Sequence, residues 1–152
     1  MNKLIKRVDL AYIAGFVDGE GYIGIKKKIR RRTNYSPCYS ERVSVGNINK
    51  EVIDNINNLV NGYVKYRKAS KLTKNGCWYW EVTEEKARKF LKMIYPYLIV
   101  KKPEADILKQ LSENKKETNR SGVPKENLEF REKLYLKIKE IHKYEEKNEN
   151  IG

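Results

Sequence analysis

The chain of 152 residues carries 33 lysines and arginines against 20 acids, a net charge of +13 and a sequence pI of about 9.6, and a single domain of this size can bury a real core. Such an excess favours a polyanionic partner, nucleic acid before membrane, and no stretch approaches the ~20 apolar residues of a membrane span. The basic start, Met1 to Val8, is followed by an apolar run without a cleavage-site pattern, so the protein is expected inside the cell, in a prokaryotic cytoplasm or an organelle, and not secreted.

The first element is Leu10-Ala11-Tyr12-Ile13-Ala14-Gly15-Phe16-Val17-Asp18-Gly19-Glu20-Gly21. Leu10, Ile13, Ala14 and Val17 recur at helical spacing. Gly15 and Gly19 lie four apart on one face, and small residues so placed let a second helix approach backbone to backbone. The Gly-Glu-Gly end stops the helix. A buried core helix with a polar stop is the plain reading. Against it, acids at a helix C-terminus oppose the macrodipole, and two glycines flanking one carboxylate imply close approach to the backbone. A hard divalent cation, held by carboxylate and main-chain oxygens, accounts for both.

Ile13-Ala14-Gly15-Phe16-Val17-Asp18-Gly19-Glu20-Gly21 resembles the motif of the LAGLIDADG homing endonucleases. The resemblance implies that motif helices of two subunits pack together, through Leu10, Ile13, Ala14, Gly15, Val17 and Asp18. It makes Glu20 the acid that binds catalytic metal, with the Gly19 carbonyl joining it; the family often has Asp there. Asp18 matches the motif's earlier, mainly structural acid.

Tyr22 to Arg32 then alternates as a strand, with Ile23, Ile25 and Ile29 on one parity and Gly24, Lys26, Lys28, Arg30 and Arg32 on the other. That basic face, Lys27 excepted, favours phosphate contact. Thr33 to Ser40 reads as a turn or hairpin tip. Glu41 to Asn47 is a second strand, with Val43 and Val45 facing one way and Arg42, Ser44 and Gly46 presenting groups suited to base edges. Asn49 has the type of a helix N-cap, ahead of an apolar stripe of Val52, Ile53, Ile56, Leu59 and Val60 closed by Gly62. The resemblance also implies a polar residue at this junction that orients metal-bound water, and Asn49 matches it.

Tyr63 to Arg67 is a third strand, Val64 and Tyr66 inward, Lys65 and Arg67 outward. Lys74-Asn75-Gly76 signals a tight hairpin turn into Cys77 to Val82, a fourth strand whose pattern allows either facing: Trp78, Trp80 and Val82 share one parity and Cys77, Tyr79 and Glu81 the other, with the tryptophans preferred as core and Tyr79 and Glu81 nearer any ligand. Thr83 caps a helix with Glu84 and Glu85 in its first turn and Ala87, Phe90, Leu91 and Ile94 as its stripe, ended by Pro96. By resemblance, Lys101 in Tyr97-Leu98-Ile99-Val100-Lys101-Lys102-Pro103 is a lysine projecting into the active site. Glu104 to Ser112 is helical, Ser112 to Asn127 a connecting loop, and Leu128 to Glu146 a final helix with Phe130, Leu134, Ile138 and Ile141 as its stripe. Cys38 and Cys77 lack metal-site spacing, and the lone histidine, His142, sits in that charged helix, which argues against zinc and histidine-dependent chemistry.

This order predicts an α+β fold. The resemblance implies αββαββα over residues 1–111, a four-stranded antiparallel DNA-binding saddle with helices on the opposite face, and a connecting loop and C-terminal helix over 112–152. The motif occurs once, so an identical subunit is expected to fill the seam, giving a two-fold dimer and a pseudo-palindromic target of roughly 20 bp. The implied function is a site-specific, metal-dependent DNA endonuclease of intron or intein homing. It makes a double-strand break with short 3′ overhangs, uses Mg2+ or another divalent ion such as Mn2+, and takes Glu20, Asn49 and Lys101 as catalytic residues. The target is double-stranded DNA, read by Lys26, Lys28, Arg30, Arg32, Ser40, Arg42, Ser44, Lys65 and Arg67. The alternatives are an RNA maturase or an inactive nucleic-acid-binding member. Gly21-Tyr22-Ile23-Gly24 resembles only half of a GIY-YIG signature, and Glu84-Glu85-Lys86 is a chance-prone E-x-K triplet.

Overall fold

A computed structural model of the chain describes residues 5–29, 36–71, 75–118 and 122–149. The expectations for Arg30 and Arg32 therefore lie outside the described residues. The elements run α1 (Arg7–Glu20), β1 (Gly21–Lys28), β2 (Cys38–Asn47), α2 (Lys50–Leu59), β3 (Tyr63–Arg67), β4 (Cys77–Thr83), α3 (Glu84–Ile94), a 3-10 turn (Tyr95–Tyr97), α4 (Lys102–Lys116) and α5 (Lys125–Glu149). None of the described helices is long and apolar enough to cross a membrane.

The four strands form one antiparallel sheet in the order β1-β2-β4-β3. Alternation of side chains gives each strand one buried parity. Ile23 and Ile25 of β1, Tyr39, Val43 and Val45 of β2, and Trp80 and Val82 of β4 face the helical layer. There they meet Ile13, Ala14 and Val17 of α1, Ile53 and Ile56 of α2, Phe90 and Ile94 of α3, and Leu108 and Leu111 of α4 in one hydrophobic core. Trp80 is its largest fully buried side chain; its ring packs 4.8 Å from that of Phe90, and its Nε1 donates to the Val60 carbonyl at 3.3 Å. Gly62 is required where the chain turns into β3, because a Cβ there would fall 2.6 Å from the Glu81 carbonyl oxygen.

A second, polar cluster joins sheet and helices. Glu41 shares the inward parity of β2 and is fully buried. Its carboxylate accepts from Lys115 at 3.0 Å, Arg88 at 3.3 Å and Ser112 at 2.9 Å, which satisfies a charge that would otherwise be costly to bury.

Several local expectations change. β2 begins at Cys38, so Ser40 lies in a strand. The Asn75-Gly76 pair belongs to a longer β3–β4 connection over 68–76, whose residues 72–74, Lys74 included, lie outside those described. α4 runs to Lys116, past the expected loop start at Ser112. Tyr66 shares the inward parity of Val64 and packs 5.1 Å from the Trp78 ring, yet is 49 % exposed, and Ile29 lies beyond the end of β1 and is exposed. On α5, Phe130 is exposed, and Arg131 holds the buried stripe with Leu134 and Ile138. The reason is satisfaction of the guanidinium, which donates to Asn114 Oδ1 at 2.9 Å and Thr118 Oγ1 at 3.0 Å across the α4–α5 contact.

Candidate functional site

The C-terminal end of α1 carries Asp18, Gly19 and Glu20 and has no basic residue in its last turn. Asp18 is half-buried and reaches the loop before α4: its two carboxylate oxygens accept the Ile99 N–H at 2.8 Å and the Lys101 N–H at 2.9 Å. The Lys101 side chain folds back, and Nζ donates to the Asp18 carbonyl at 3.1 Å. Sequence positions more than eighty apart are thereby locked together, and the Lys101 ammonium is held on the main chain two residues before the exposed Glu20.

Gly21, the first residue of β1, pairs with Val45 of β2. Glu20 consequently leaves the sheet at the end where β2 finishes with Gly46 and Asn47. Asn47 accepts the Asn49 N–H through Oδ1 at 2.8 Å, and Asn49 in turn accepts the Glu51 N–H at 2.9 Å. Asn49 is thus the N-cap of α2. Asn47 ends β2 two residues past Val45, the partner of Gly21; among many asparagines in this chain, only the pairing register marks it out.

The outward face of the sheet presents Tyr22, Gly24, Lys26 and Lys28 on β1, Ser40, Arg42, Ser44 and Gly46 on β2, Tyr79 and Glu81 on β4, and Tyr63, Lys65 and Arg67 on β3. Lys26, Lys28, Lys65 and Arg67 are exposed, and Arg67 lies over the Tyr79 ring at 4.1 Å. Ser40 is tied to Glu84 through its hydroxyl. Ser44, opposite Tyr22 and Glu81, is only 4 % exposed, so the expectation that it reads bases is corrected: it has almost no surface to offer them.

The profile of the LAGLIDADG endonucleases matches residues 13–112. The chain belongs to the LAGLIDADG endonuclease family. No curated protein matches the sequence. Among solved structures, it resembles the homing endonuclease I-CvuI in complex with the I-CreI target in the presence of Mg, with a TM-score of 0.67 at 22 % identity over 86 % of this chain and 82 % of that one. I-TnaI gives 0.65 at 15 % identity over 84 % and 86 %. The archaeal intron-encoded I-Vdi141I complexed with DNA gives 0.57 at 20 % identity over 85 % and 98 %. All three share the fold described above.

α1 is therefore the LAGLIDADG helix, and its burial corrects one expectation. Ile13, Ala14 and Val17 lie in the protomer's own core and have no surface to offer a partner. The outward stripe of the LAGLIDADG helix is instead Val8, Tyr12, Gly15 and Gly19, with Leu10 half-buried beside it. Asp18 serves the link to Ile99 and Lys101 within the chain.

The oxygen donors at this terminus, the Glu20 carboxylate and the last helical carbonyls, are of the hard type that Mg2+ or Mn2+ takes. No group of three or more His, Cys, Asp or Glu residues with metal-binding geometry occurs among the described residues. One chain thus offers a single carboxylate at this position, which fits a cation only as part of a larger set of oxygens.

Proposed function

We propose that the protein is a homodimeric, divalent-metal-dependent DNA endonuclease that cuts both strands of a long pseudo-palindromic target in intron or intein homing, leaving short 3′ overhangs. The observation that supports this reading is the Lys101–Asp18 clamp, which fixes Lys101 at the Glu20 end of α1, next to a sheet whose outward face is basic. Relatives of the same fold are described in complex with DNA, I-Vdi141I among them and I-CvuI once in the presence of Mg and once in the presence of Ca.

The dimer reading rests on surface. The LAGLIDADG helix exposes Val8 (76 %) and Tyr12 (58 %) beside Gly15, and Asp18 holds next to them a loop exposing Ile99 (82 %) and Val100 (59 %). Exposed apolar side chains along a helix face with glycines, and on the loop at its C-terminal end, call for a cover, and a second copy supplies the same face in a two-fold contact. This arrangement brings two Glu20 carboxylates together and completes a set of donors that one chain lacks.

A divalent cation held there would supply Lewis-acid stabilisation of charge on the scissile phosphate and its leaving oxygen, and activation of water. Glu20 and the Gly19 carbonyl hold it from the protein side. Lys101, its ammonium fixed on the Asp18 carbonyl, faces charge developing on the phosphate. Asn47, with Asn49 beside it, offers amide hydrogens that orient water. β1 is 8 residues long, which at ~3.3 Å per residue spans roughly 26 Å, about eight base steps of a half-site.

The test is Glu20→Gln. The variant is expected to bind its duplex as wild type does and to lose cleavage by about a hundredfold or more with Mg2+. Cleavage at the wild-type rate would remove Glu20 from the chemistry.

A further inference from the structure

The outward face of the sheet holds one arginine in a manner unlike its other cations. Arg42 stands on the inner strand β2, opposite Gly24 of β1 and Thr83 of β4. Its Nε donates to Glu81 Oε2 at 2.7 Å, and its Nη2 donates to the Tyr79 hydroxyl at 2.8 Å. Tyr79 closes the triangle by donating to the same Glu81 oxygen at 3.2 Å. A third support comes from β1, where the Tyr22 ring lies 5.6 Å from the guanidinium carbon. Gly24 makes room for that ring: a Cβ at this position would fall 2.4 Å from the Tyr22 hydroxyl.

This arrangement is costly to maintain for mere solubility. An arginine carries five N–H donors in a planar fork, and the contacts above use one on Nε and one on Nη2. Both hydrogens of Nη1 and the second on Nη2 are left, on a side chain 30 % exposed on the face away from the helical core. Lys26, Lys28 and Lys65 on the same face form no ion pair among the described residues, as befits point charges that meet phosphates wherever these fall. A fork held on two sides and backed by a ring has one orientation, and a planar pair of donors in one orientation matches the O6 and N7 acceptors of guanine.

We infer that Glu81 and Tyr79 are specificity-positioning residues, which set the Arg42 fork to read one guanine in each half-site of the duplex. The inference deepens the DNA-cleaving reading above and rests on it. Neither positioning residue touches the base; both act by removing the alternative rotamers through which Arg42 would reach a neighbouring phosphate or another acceptor. Glu81 also keeps an acid on this face, which repels phosphate and so directs Arg42 to bases rather than backbone.

The experiment is selection of cleaved duplexes from a randomised library by the full-length protein with Mg2+, for wild type, Glu81→Gln and Tyr79→Phe. Wild type is expected to show guanine at one position and its symmetry mate that Arg42→Lys abolishes. Glu81→Gln is expected to lower that preference at least about fivefold, the lower end of what one bidentate pair contributes, while leaving preferences elsewhere in place. Tyr79→Phe keeps the ring under Arg67, loses only the hydroxyl and is expected to relax the same position. It carries the test alone should Glu81→Gln fail to fold.

A wild type with a defined site whose guanine preference survives both variants would overturn the inference and leave the endonuclease reading standing. Equal weakening at every position would also overturn it, by making the pair merely structural. A wild type that neither binds nor cuts any duplex would overturn both.

Discussion

Glu104 shows how one residue records the demands of its surroundings. It sits in the first turn of α4, three residues after Lys101, at 2 % exposure, and its Oε2 lacks a hydrogen-bond partner among the described residues. Burial pushes its carboxyl up to about 7, the nearby Glu145 carboxylate adds to the rise, and Lys101 opposes it. A folded-state pKa above the unfolded one means that the fold favours the protonated form. The stability it contributes is complete below about pH 4.5 and is lost as pH rises through about 7. Glu104→Gln mimics the neutral form and is expected to melt higher than wild type at pH 8, with the gap closing towards pH 4.5. Thermal melts across that range check it, and a gap that is constant or widens on acidification would contradict the assignment.

Among the elements, the ties between β2, α3 and α4 rest on a charge rather than on apolar contact alone. Glu41 is wholly buried with Arg88, Lys115 and Ser112 around it, and Lys115 also reaches Glu84 and the Tyr39 carbonyl. Glu41→Ala removes the centre of this cluster and is expected to cost about 3 kcal/mol, read as a lower denaturation midpoint with an unchanged slope. A shift within experimental error would mean that water replaces the lost carboxylate. The LAGLIDADG helix offers a different test, because its two faces do different work. Ala14 is fully buried, so a bulky residue there disturbs the fold. At Gly15 an added Cβ meets nothing within 4 Å of the same chain. Gly15→Trp is therefore expected to leave the protomer folded and to abolish the proposed dimer, measured as a halving of mass in solution from twice 18.0 kDa. A wild type already monomeric would refute the seam.

For the molecule as a whole, the net charge of +13 becomes directional once the fold places Lys26, Lys28, Lys65 and Arg67 on one sheet face. Two such faces in the proposed dimer would offer about eight phosphate contacts, so the logarithm of the duplex affinity is expected to fall with the logarithm of salt with a slope of about −7. Binding measured from low to physiological salt checks this. A slope near zero would mean that the cations do not meet the backbone.

Much of this arrangement was legible in the chain itself. The nine residues Ile13–Gly21 carry a helix, its stop and an acid in an order specific enough to imply a family, and the family match and the fold agree with it. Alternation in β1 and β2 assigned the buried side of the sheet, because a period of two leaves only one parity for the core; in β4, where both parities carry aromatic rings, the fold decided for Trp80 and Val82. What the sequence could not decide were relations across distance. Which side of the LAGLIDADG helix meets its own core, that Asp18 grips Ile99 and Lys101, that Asn47 ends its strand two residues past the partner of Gly21, and that Arg42 is held by Tyr79 and Glu81 all depend on contacts between remote segments. Such contacts follow from strand register and helix rotation, which are set by packing the whole core at once. Local spacing says that a residue has a face; only the closed structure says what that face meets.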